Sequence, residues 1–143
     1  MLARYNNLIV NIACRAIVPF IFLYGIYVIF FGHYSPGGGF QGGTILAAGV
    51  ILMRLGLGRR VTYKKFPPQM GLILGTIGLL IYSVTGLVTV LAGGNFLDYS
   101  FLPILDMKDP ERHYYGILFV EIGIALGVFG ILTSIFDSLT REK

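Results

Sequence analysis

Residues 16–53 contain no Asp, Glu, Lys or Arg, and in this run of 38 residues His33 is the only imidazole. No water-soluble fold hides such a stretch. Two membrane passes joined by a tight turn do, at about 20 residues per pass. The rest of the chain agrees with that constraint. Of 143 residues 13% are charged, about half of the roughly 25% usual for a soluble domain. Mean hydropathy is +0.77. These values exclude a soluble enzyme, a nucleic-acid binder and a disordered tail, and the length allows a single membrane domain over 1–143.

Hydropathy divides the chain into four spans, about 8–31, 36–57, 70–92 and 114–136. Each is long enough to cross a bilayer with some tilt. The expected fold is therefore all-α, an integral bundle of four transmembrane helices. The first span is too long for a signal-peptide core and lacks a small-x-small cleavage site, so it reads as a retained helix.

Charge placement predicts direction. Arg4, Arg15, Arg54, Arg59, Arg60, Lys64, Lys65, Arg141 and Lys143 fall on one side, nine of eleven basic residues. The connection 93–113 holds Lys108 and Arg112 beside Asp98, Asp106, Asp109 and Glu111. The positive-inside rule then puts both termini in the cytoplasm, with 32–35 and 93–113 outside. The net charge of +4 is thus a topology signal and not a nucleic-acid footprint. Cys14 stands alone, and His33 and His113 are isolated, so neither a disulfide nor a metal site is expected. No cofactor ligands are apparent.

Local signals punctuate the spans. Pro19 predicts a kink in the first helix. Ser35 is the expected N-cap of the second, with Pro36 at its first turn, and Pro67 and Pro68 open the third in the same way.

The string Gly32-His33-Tyr34-Ser35-Pro36-Gly37-Gly38-Gly39-Phe40-Gln41-Gly42-Gly43 is the most distinctive in the chain. Gly37, Gly39 and Gly42 match G-x-G-x-x-G in form. The dinucleotide fingerprint, however, needs a preceding strand and an acid about 20 residues on, and here the first acid is Asp98. Nucleotide binding is rejected. Gly38/Gly42 and Gly39/Gly43 also form G-x-x-x-G pairs, extended by Ala47, which suit close helix packing in lipid.

The same string closely resembles the G-H-x-[ST]-P-G-G-G-F-x-G-G signature of the MnhB/MrpB family, small components of the Mrp-type multisubunit Na+/H+ antiporters. Gly32, His33, Ser35, Pro36, Gly37, Gly38, Gly39, Phe40, Gly42 and Gly43 carry the match. The resemblance implies a small non-catalytic subunit among larger cation-translocating subunits in a prokaryotic cell membrane. Related subunits belong to antiporter modules of membrane-bound hydrogenases, so hydrogenase or ferredoxin-linked oxidoreductase subunits are further implied partners.

Two later helices carry small-residue stripes. Gly71, Gly75, Gly78, Tyr82, Thr85 and Thr89 lie on one face of the third span. Gly116, Val120, Gly123, Gly127, Gly130 and Ser134 do so on the fourth. Glu121, the one acid within any predicted span, points about 140° away from that seam at 100° per residue. An acid facing lipid is costly, so the fourth helix needs protein on two separated faces, more easily supplied by a larger assembly. Glu121 is either an ion-path residue or a structural acid meeting backbone or Arg15. Members of the MnhB/MrpB family often read F-D-x-G-[VI] where this chain has Phe119-Val120-Glu121-Ile122-Gly123. His33, at the hairpin mouth, is the second ion-path candidate. The expected function is an accessory subunit of a cation/proton antiporter assembly, free-standing or attached to a redox complex. A small homo-oligomeric channel and a purely structural membrane adaptor are the alternatives.

Overall fold

A computed structural model describes residues 8–32, 36–103 and 109–140. Five α-helices are present among them: α1 Leu8–Phe30, α2 Gly39–Gly56, α3 Arg59–Lys65, α4 Pro68–Leu91 and α5 Asp109–Thr140. Among the described residues the remaining element is a 3-10 turn, Tyr99–Phe101, and there is no strand. α1, α2, α4 and α5 are each long and apolar enough to cross a membrane. A helix satisfies its own backbone groups, which is the condition for entering hydrocarbon.

The helices form a row in the order α1, α2, α5, α4. α1 and α2 are antiparallel, with Gly25 against Leu46 and Cys14 against Gly56. α4 and α5 are antiparallel as well, with Gly71 beside Ser134 and Gly123 beside Ile81. α2 and α5 run parallel, and Ala47, Val50 and Phe129 make the apolar core between them. The end carrying the α1–α2 connection is the hairpin end, and that carrying α3 the basic end.

Three boundaries differ from the sequence expectation. α2 begins at Gly39, three residues after Pro36, and its N-cap is Gly38, not Ser35. The reason is local. Gly38 N–H donates to the Val28 carbonyl at 3.2 Å, folding the chain back onto the end of α1. That requires φ 120°, a conformation that suits glycine, so the helix cannot start earlier. His33 and Ser35 lie outside the described residues. The connection 58–69 contains α3, turned inward by Thr62, whose hydroxyl reaches the carbonyls of Gly58 (3.0 Å) and Met53 (3.3 Å). α5 runs to 32 residues, passing the expected 114–136 at both ends. Tyr99 and Leu102 pack on Gly116 near its start, and Arg112 donates to Ser100 O at 3.2 Å. Its far end is held by contacts to Arg54 and Arg59. α4 opens as expected, with Pro67 as N-cap and Pro68 in the first turn. α1 stays helical through Pro19.

Candidate functional site

Gly39 and Gly43 face α5, whereas Gly42 faces α1. A Cβ on Gly39 would collide with the Glu121 carbonyl, and one on Gly43 would lie 2.5 Å from Ala125 O, so this pair seats α2 directly on the α5 backbone. Gly42 instead meets Ile29 and the Gly25 carbonyl of α1. A helix that must touch backbone on two sides has room for side chains on neither. Phe40, between these faces, is exposed, as befits a lipid-facing or subunit-facing residue. Gly37 packs on Val28.

This packing brings the glycine motif and Glu121 together. Glu121 Oε1 lies 3.3 Å from the Cβ position of Gly38, and Oε2 3.2 Å from that of Gly32. The carboxyl is therefore cradled by bare backbone where α1 ends and α2 begins. Oε2 is buried there. A Cβ at Gly32 would run into the Gly38 backbone at 2.6 Å and crowd the carboxyl as well, and at Gly38 the φ of 120° adds to the same crowding, which explains in physical terms why that part of the string is glycine. Arg15, one of the two partners considered for a structural Glu121, is exposed on α1, some 17 residues from Gly32, or about 25 Å of helix rise. It does not meet Glu121.

The two faces of α5 are both covered by this chain itself. Gly116, Val120, Gly123 and Gly130 are buried; Gly116 lies under Tyr99 and Leu102, and the rest of the seam faces α4, with Gly78 close upon Gly123 and Gly127, and Gly130 upon Gly71 and Gly75. The Glu121 face meets α2. Gly127 is the exception among the seam glycines: a Cβ there would find nothing within 4 Å. On α4, Thr85 donates to its own Ile81 carbonyl at 2.7 Å. Thr89, fully buried, binds Gly86 O and Asn95 O and accepts from Leu97 N–H at 3.0 Å, so it holds the following loop.

That loop closes the hairpin end. Asp98 caps the 3-10 turn by accepting from Ser100 N–H. Tyr99 stacks edgewise on His113, and burial with nearby Tyr82 and Glu121 raises its phenol above the usual value near 10. The hydroxyl stays neutral at any physiological pH.

A buried acid lies just past the last predicted span. Asp137 belongs to α5, 7% exposed, and forms an ion pair with Arg54 of α2, 2% exposed. Arg54 also donates to Thr133 O at 3.2 Å, and its guanidinium lies over the rings of Tyr63 (5.3 Å) and Phe66 (5.7 Å). Tyr63 donates its hydroxyl to Asp137 Oδ1 at 3.2 Å. Burial, then the Asp137 charge, raises the Tyr63 phenol. Arg54 is thus a structural charge, not a free topology marker, and Glu121 is not the sole acid of the long helices. The one signal of this cluster in the sequence is Arg54 itself, a cation set within the apolar end of a helix. Among the described residues no group of three His, Cys, Asp or Glu could hold a metal.

Comparison with known proteins places these features in a family. A family model described as a domain related to the MnhB subunit of Na+/H+ antiporter matches residues 9–134. A Staphylococcus haemolyticus protein named "Putative antiporter subunit mnhB2" is 31% identical, covering 98% of this chain and 99% of its own. Proteins of the same name from Staphylococcus aureus strains Newman and JH1 are 30% identical over the same shares. The match takes in the glycine hairpin, the Glu121 cradle and most of α5, and the chain belongs to the MnhB family of multi-pass membrane proteins.

Proposed function

We propose that the protein is an accessory membrane subunit of a multisubunit Na+/H+ antiporter assembly, in which Glu121 contributes to the ion path. The names carried by its relatives support the assembly. The observation that carries the role of Glu121 is its setting: a carboxyl held by glycine backbone at the helix break, within a membrane-spanning helix. Acids kept in such segments ordinarily serve ion or proton movement. Both termini and the basic end lie in the cytoplasm in this reading, supported by the one-sided distribution of Lys and Arg. His33, next to Gly32 in sequence, is the second candidate for the same path. Larger subunits would translocate the ions, whether the assembly stands alone or is joined to a hydrogenase-like redox complex.

The test is Glu121→Gln and Glu121→Asp in the complete assembly, reading Na+-dependent proton movement in membrane vesicles across the active pH range. Glu121→Gln is expected to lower transport by about 100-fold, the lower end for removing a proton-transfer group, with subunit composition unchanged. Glu121→Asp should retain part of it with a displaced pH profile. Full transport by Glu121→Gln at every pH would leave the protein a structural adaptor.

A further inference from the structure

Two hollows open at the basic end and share Leu72, Ser134 and Ser138 in their walls. The first, about 680 Å³, lies between α3, the start of α4 and the end of α5, and is edged by Arg59, Tyr63, Gln69 and Asp137. The second, about 450 Å³, continues from it between α4 and α5. Gly71, Gly75 and Gly130 form its floor, with Leu79, Ile131 and Ile135 as walls. Both volumes fall in the range of small-molecule sites, about 300–1,000 Å³. The pair therefore runs from a polar mouth to an apolar trough. From Gly71 to Leu79 the trough extends about 12 Å along α4 by helix rise.

The mouth has unspent hydrogen-bonding capacity of both signs. Asp137, more than nine-tenths buried, uses Oδ1 for Arg54 and Tyr63, while Oδ2 has no hydrogen-bond partner among the described residues. Arg59 donates through Nη2 to Thr140 O and leaves a buried Nε without a partner among them. Ser134 Oγ is likewise buried and unmatched. With Asp137 neutralised by Arg54, Arg59 leaves the mouth one positive charge in excess, and Arg60 and Lys64 stand exposed nearby on α3. Buried polar atoms of this kind ordinarily find partners. One occupant meets all of these conditions together: a phosphate for Arg59, a donor for Asp137, and a hydrocarbon tail for the trough.

We infer that this joined hollow is a phospholipid site, taking a bilayer lipid whose phosphate headgroup carries a hydrogen-bond donor, as phosphatidylethanolamine and phosphatidylglycerol do. The phosphate meets Arg59, the headgroup ammonium or hydroxyl donates to Asp137 Oδ2, and one acyl chain lies over Gly71 and Gly75. The assignment is independent of ion transport.

The experiment is native mass spectrometry of the assembly purified from membranes, with added phosphatidylethanolamine, phosphatidylglycerol or phosphatidylcholine at equal concentration. Phosphatidylcholine shares the phosphate but has no donor. Retention of the first two is expected to exceed that of phosphatidylcholine by about ten-fold, the scale of one charge-assisted hydrogen bond. Arg59→Gln should remove the difference and Arg59→Lys restore part of it. Gly75→Leu, which fills the trough, should abolish retention of all three, and the thermal midpoint of each variant assembly reports whether it folds. Equal retention of the three lipids, or an Arg59→Gln assembly that still discriminates, would overturn the assignment. So would displacement by water-soluble glycerophosphoethanolamine as effective as the lipid, since that would leave the trough without a role. Lipid bound by the chain alone but not by the assembly would show that a partner helix covers the trough, and would also overturn it.

Discussion

α5 carries two inward-facing acids, Asp137 buried near its end and Glu121 half-buried near its middle, and they meet different surroundings. At the basic end Asp137 faces a guanidinium from α2, with Tyr63 and Thr133 completing the cluster. At the hairpin end Glu121 faces the glycine backbone of the α1–α2 break. The two acids are about 24 Å apart by helix rise. The first arrangement fixes charge: removing either partner strands the other in a water-poor interior. The second positions a carboxyl by the shape of the backbone around it. An acid paired with arginine suits a lock between helices, whereas the ion-path role proposed for Glu121 requires a carboxyl that exchanges a proton.

The most damaging challenge to this contrast is to remove one partner of the lock. Asp137→Ala should destabilise the chain by about 3–5 kcal/mol, because Arg54 is left buried and unpaired. The combined Arg54→Met, Asp137→Leu protein should recover most of that loss, measured as thermal midpoint in detergent. If Asp137→Ala melts like the parent, the pair is not a lock. Next in size is Gly39→Leu. Since Gly39 abuts the Glu121 backbone within the same chain, the substitution should separate α2 from α5 and cost at least the roughly 1–3 kcal/mol of an overpacked core. The chain's own melting should fall before any subunit is lost, and loss of partners with an unchanged midpoint would relocate the contact to a subunit interface. Glu121→Gln, by contrast, keeps the size and shape of the side chain, so it should shift the melting midpoint less than either of these while altering transport. The smallest effect belongs to Gly127→Ala. Its added methyl has open space, so the gain in helix propensity, about 0.5–1 kcal/mol, should appear as a small stabilisation. A decrease instead would mean that α4 approaches Gly127 more closely than that open space allows.

The phenols beside the two acids add a pH dimension. Both Tyr63 and Tyr99 have pKa values raised above 10, so folding holds their protons more tightly than the unfolded chain does. Their contribution to stability is complete below pH 10 and is lost as pH rises through the raised values. Titration of the folded protein by phenolate absorbance should show these two tyrosines ionising later than an exposed one. A pH dependence of transport nearer neutrality therefore does not arise from them.

Legibility followed range. Four membrane helices were readable because each is a long apolar run, and α4's start because Pro67 and Pro68 act on their own neighbours. The small-residue seams of α4 and α5 were readable as stripes, since helical periodicity is local. The start of α2 was not readable, because it depends on Gly38 binding Val28 across the turn. Nor was α3, which forms where Thr62 folds in on the end of α2.

Hydropathy alone dictates that this chain has four membrane-spanning segments, and its glycine string marks the family. The fixed pitch of a helix adds that Glu121 and the α5 seam need protein on different faces. Which protein covers those faces, namely α2 and α4 of the same chain, emerged from the packing of the helices. So did the joining of the glycine string and Glu121 into one site, and of Arg54 and Asp137 into another. Tyr63 meets Asp137 across 74 positions and Arg54 meets Thr133 across 79. Contacts of that range depend on which helices become neighbours, and a periodic pattern along one helix carries no record of that choice.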